Sequence, residues 1–147
     1  MARPFHFKLE KILEYRRQVE DQAKLALAKA QQAAQEQASL LARLASELQH
    51  CLQELSRTKQ LTQADLWLWS GYKDRLVADK NSAEQTLAKL ESLAEACRQE
   101  LVIKSMERKL LEKLREKQAA KYEQDAQQRE QKEFDETATL RYGRTPY

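Results

Sequence analysis

The sequence predicts an all-α fold, an antiparallel two-helix coiled-coil hairpin with an overhanging C-terminal helix. Three observations predict it: residues that interrupt helices are almost absent, an apolar stripe with coiled-coil spacing runs on both sides of one central break, and a capping motif sits at that break. Only Pro4, Pro146, Gly71 and Gly143 punctuate 147 residues, so nearly the whole length reads as continuous helix. Ala, Leu, Glu, Gln, Lys and Arg dominate while Val and Ile are scarce, which argues against strands. With 41% hydrophobic and 33% charged residues, one long thin domain over 1–147 is expected rather than a globule.

Helix 1 is predicted over about 6–59, the tip over about 56–64 and helix 2 over about 64–140. The stripe of helix 1 is Leu9, Ile12, Arg16, Val19, Ala23, Ala26, Ala30, Ala34, Gln37, Leu41, Leu44, Leu48, Cys51 and Leu55. Its steps alternate between three and four, with an extra four at Ala30 to Ala34 that reads as a stutter. The pattern falters from Ser56 to Leu61, and Thr62 with Asp65 then offers a capping-box start. The stripe of helix 2 is Trp69, Tyr72, Leu76, Lys80, Ala83, Leu87, Leu90, Ala94, Cys97, Leu101, Lys104, Arg108, Leu111 and Arg115.

Folding about position 62 sets residue i opposite a residue near 124 minus i, so Ala30 faces Ala94 and Leu48 faces Leu76. At about 1.5 Å per residue the helices measure about 80 and 110 Å. The second therefore overhangs, and the segment from about Ala119 to Leu140 is expected to lack an internal partner and to fray alone. The same register separates Cys51 and Cys97 by roughly 35 Å, far beyond disulfide reach. Both read as small apolar side chains in the seam.

Composition excludes several function classes. The net charge is +3, with 26 basic and 23 acidic residues interspersed, and no basic stripe serves a nucleic acid. Arg16-Arg17 is too short a basic block for a zipper-type DNA binder. No apolar run approaches a bilayer span of about 18 residues, and the N-terminus has no signal-peptide core, so no direct membrane insertion and a cytoplasmic location are expected. His6 and His50 are isolated, no metal ligands cluster and no phosphate loop occurs. The chain reads as a non-enzyme without cofactor or metal.

Four features can carry binding, and each also has a structural explanation. Phe5-His6-Phe7 with Leu9 is a docking anchor or end packing for helix 1. Trp67, Trp69 and Tyr72 lie beside the tip. Two positions apart, the tryptophans point about 200° around the axis, so one is exposed as a partner anchor unless both cover the tip. The segment Glu107 to Lys117 is a charged contact surface or a solvated coiled-coil face. Phe134 is the one large apolar side chain of the run Arg129 to Glu136, which is a waiting binding segment or disordered.

The opening Phe5-x-Phe7-x-Leu9 with Leu13, Arg16, Arg17 and Glu20, and the later Glu107-Arg108-Lys109 with Leu111, Glu112, Lys113, Leu114, Tyr122, Glu130-Gln131-Lys132 and Asp135-Glu136, resemble the FliJ family over the whole chain. The resemblance implies a stalk of the flagellar type III export apparatus. Its shape is similar to the paired-helix shaft of rotary ATP synthases, and both chain ends enter the central opening of the hexameric export ATPase. The ATPase-facing residues are then Phe5, Phe7, Leu9, Arg16, Arg108, Lys109, Glu112, Lys113 and Arg115. It further implies contact with the membrane export-gate protein near the tip through Trp67, Trp69, Tyr72 and Leu76, escort of export chaperones, and peripheral association with the inner-membrane apparatus. The facing stretch of helix 1 carries Ala38, Ala42, Ala45 and Gln49, a departure from the family pattern at the gate surface. A stalk of a virulence-type injectisome and a structural coiled-coil dimer are the alternative readings.

Overall fold

The computed structural model describes residues 3–143; Met1, Ala2 and the end of the tail from Arg144, with Pro146, lie outside them. The fold is an all-α hairpin of two helices, α1 (Glu10–Arg57, 48 residues) and α2 (Gln63–Gly143, 81 residues), with no strand among the described residues. The chain forms two compact units, a terminal unit of Met1–Glu20 with Ile103–Tyr147 and a hairpin unit of Asp21–Val102.

Local chemistry sets the helix ends. α1 starts at Glu10, later than expected, because Arg3 to Phe7 runs outside the helix and a turn closes through the Glu10 amide and the Phe7 carbonyl at 3.2 Å. No Ser, Thr, Asp or Asn stands just ahead of Glu10 to cap an earlier start. At the other end, the Thr58 amide and hydroxyl both donate to the Glu54 carbonyl, at 3.2 and 2.8 Å, and close the last turn. The capping box of α2 forms as expected. The Asp65 amide donates to Thr62 Oγ1 at 3.1 Å, and the Thr62 amide donates to Asp65 Oδ2 at 3.4 Å.

The hairpin unit pairs the two helices along a seam rich in small residues. Ala30, Ala83 and Ala94 are buried, and Gln37 Nε2 donates to the Ala83 carbonyl at 3.2 Å, a contact that only close helix approach allows. Leu76 and Cys51 thicken the seam toward the tip. Cys51 and Cys97 are free thiols, the first buried and the second half-buried.

The first third of the α1 stripe differs from the expected one. Leu13 is fully buried and Glu20 nearly so, while Ile12 and Ala26 are exposed. The line that packs is Leu9, Leu13, Arg16, Glu20, Ala23, Leu27, Ala30 and onward, which alternates steps of four and three without interruption. The stutter at Ala30 to Ala34 therefore disappears. The misplacement has a physical cause: Glu20 occupies a seam position, and a search for apolar residues steps around a buried charge onto Val19.

In the terminal unit the expected bare segment of α2 is partly covered. Phe5 stacks at a tilt on Tyr122, centroids 5.7 Å apart, and the Tyr122 hydroxyl donates to the Arg3 carbonyl. Ala119, Tyr122 and Ala126 are half-buried. From Gln127 to Gly143 every residue is exposed, yet α2 continues as helix. Strong helix formers and local bonds such as Gln131 Nε2 to Asp135 Oδ1, 3.4 Å, favour that continuation.

Candidate functional site

In the terminal unit, the lead-in Arg3 to Phe7 and the first turns of α1 lie along α2 through an ionic ladder. Arg16 donates to Glu107 at 2.5 Å, Arg17 lies 3.5 Å from Glu112, and Arg115 lies 3.2 Å from Glu10. Lys104 adds a 3.8 Å contact to Glu107. At the centre, Arg108 bonds Glu20 and also donates to Glu112 at 2.7 Å. The Glu20 side chain is 6% exposed, so its charge is compensated by Arg108 rather than by bulk water. Hydrogen bonding to Glu20, then to Glu112, pushes the Arg108 guanidinium above its ordinary value and keeps it charged.

Of the residues expected to face an ATPase, Phe7 is buried and Phe5 and Leu9 are half-buried, so these side chains chiefly fasten the lead-in. Arg16, Arg108, Glu112 and Arg115 are engaged in the ladder, whereas Lys109 and Lys113 are exposed. The partners Glu10, Glu20 and Glu107 were missing from the expected site. For Glu10 and Glu107, the spacing opposite Arg115 and Arg16 in the 124-minus-i register was the signal that would have found them, whereas Glu20 falls opposite Lys104 there and pairs with Arg108 about one turn away.

At the tip of the hairpin unit, Trp67 is the exposed tryptophan, 76% accessible, and Trp69 is half-buried with its ring edge-on to Tyr72 at 6.1 Å. Leu68, Trp69 and Tyr72 of α2 and His50 and Cys51 of α1 line an open groove of about 700 Å³. Leu76 is buried and supports this wall rather than presenting itself. The expected tip cluster thus divides: Trp67, Trp69 and Tyr72 reach the surface, and Leu76 does not. On α1, Ala38, Ala42 and Gln49 are exposed and Ala45 is half-buried.

These surfaces suit binding. Among the described residues no group of three or more His, Cys, Asp or Glu side chains is placed to hold a metal ion, and no helix is long and apolar enough to cross a membrane. No individual curated protein or solved structure matches the chain closely enough for comparison. A family model described as Flagellar FliJ protein matches residues 5–146, and the chain therefore belongs to the FliJ family.

Proposed function

We propose that this chain is a non-enzymatic stalk of the flagellar type III export apparatus. In this reading the terminal unit enters the central opening of the hexameric export ATPase and promotes assembly of that ring. The tip of the hairpin unit contacts the membrane export-gate protein, and the chain escorts export chaperones while associated peripherally with the inner-membrane apparatus. Membership of a flagellar protein family supports the flagellar export setting over an injectisome.

The observation that carries the ATPase role is the exposed helical stretch from Gln127 to Gly143, which continues α2 beyond the ladder of ion pairs and the Phe5 and Tyr122 contact. An exposed, highly charged helix gains order when a ring of subunits surrounds it. Six similar subunits cannot all match one rigid apolar patch. Long side chains such as Lys109 and Lys113 make weak, adaptable contacts that tolerate this mismatch, while the ladder keeps the shaft stiff.

The test is stimulation of ATP hydrolysis by the purified export ATPase. A chain ending after Ala126 retains the Phe5 and Tyr122 contact, so it should stay helical and lose stimulation. Full stimulation by that truncation would remove the exposed stretch from the role.

A further inference from the structure

The terminal unit has two unlike flanks. One carries Glu10, Arg17, Glu112 and Arg115, which pair across the seam. The opposite flank carries apolar side chains. Ile12, Tyr15 and Val19 follow one another on α1 at steps of three and four, and Ile103, Met106, Leu110 and Leu114 do so on α2 at steps of three, four and four. Leu110 is 68% exposed and Met106 60%. A two-stranded coiled coil needs apolar residues only at its two seam positions. Apolar residues at the adjoining positions mark a helix that packs on more than one neighbour.

We propose that this flank is the docking surface for an α-helix of another protein, one with an apolar stripe bordered by acidic residues. Two apolar lines on adjacent antiparallel helices border a groove, which takes the stripe of a third helix. Charge selects which helix. Lys117 and Lys121 are exposed on this side, and neither has an ion-pair partner among the described residues. Glu107, the acidic residue nearest the middle of the flank, already pairs with Arg16 and Lys104. A second copy of this chain is disfavoured because a two-fold contact would bring the lysine borders together. An anionic membrane surface is disfavoured because a glutamate stands within the flank, which is therefore not evenly basic. The inference uses other residues of the terminal unit than the ATPase reading, which rests on the ladder, Lys109, Lys113 and the far end of α2.

The test titrates the full chain with two labelled peptides, each four heptads long with Leu at both seam positions. One peptide has Glu and the other Lys at the adjoining positions. Fluorescence anisotropy should show low-micromolar binding of the Glu peptide and binding of the Lys peptide weaker by about tenfold or more. Met106→Glu combined with Leu110→Glu should weaken the Glu peptide by about tenfold, as should Lys117→Glu combined with Lys121→Glu, which leaves the apolar lines intact. All four positions are exposed, so circular dichroism should show unchanged helicity. Equal binding of both peptides, or parent-like binding by both folded variants, would overturn the proposal. So would a sedimentation mass showing a dimer that Met106→Glu with Leu110→Glu dissociates, or retention on anionic vesicles that the same variant abolishes.

Discussion

Removing the Glu20 carboxylate while leaving Arg108 in place should loosen the terminal unit by about 2–3 kcal/mol. Breaking a fully buried ion pair by deleting one partner costs about 3–5 kcal/mol, chiefly because the remaining charge is stranded. Here the Arg108 side chain is 22% exposed and keeps Glu112 at 2.7 Å, which lowers the expected cost of Glu20→Ala. Glu20→Gln keeps an acceptor without the charge and should cost about 1 kcal/mol. Because its hydrogen-bonded partners raise Arg108, the arginine's contribution is fully present through the neutral range and fades only in strong alkali. The decisive variant is Glu20→Leu with Arg108→Leu, which replaces the pair by an apolar layer and should lie within about 1 kcal/mol of the parent or above it. Hydrogen exchange read by mass spectrometry on peptides from 10–20 and 103–115 reports this unit separately from the rest. The reasoning fails if Glu20→Ala leaves protection unchanged, or if the double variant is loosened as much as the single one.

Other outcomes follow from the same geometry. Thr62→Ala removes the cap of α2 and should lower the urea midpoint by an amount worth about 1 kcal/mol. Gly71 lies within α2 with open space where a Cβ would stand, so Gly71→Ala should stabilise the chain by about 0.5–1 kcal/mol in the same titration. Trp67→Ala should change stability by less than about 0.5 kcal/mol and weaken binding to the export-gate protein in a pull-down, while ATPase binding persists. Tyr122→Ala should free the lead-in and speed tryptic cleavage after Lys8, whereas Tyr142→Ala should not.

Periodicity made the helices, the break and the α2 seam legible, because threes and fours alternating over many turns keep one face of a helix in register with a neighbour. Thr62 and Asp65 were readable for a similar reason: a capping box is a local hydrogen-bond motif written within four residues. The start of α1 was not, since Phe5 and Phe7 leave the helical pattern for a tertiary reason, the docking of the lead-in on Tyr122. Glu20 was missed because a buried carboxylate counts as polar in any apolar pattern, and its pairing with Arg108 helps make the position tolerable. At the tip, a 200° separation showed that one tryptophan faces outward. That it is Trp67 agrees with Trp69 standing on the α2 stripe, where its ring packs edge-on to Tyr72.

A shaft within an ATPase ring must be a single copy, so stoichiometry probes the proposed role at its root. Mass photometry of the purified export ATPase mixed with the full chain should show ring assembly promoted by the chain and a complex holding one copy of it per six ATPase subunits. A ring carrying one copy on every subunit, or rings that form equally well without the chain, would contradict the shaft role.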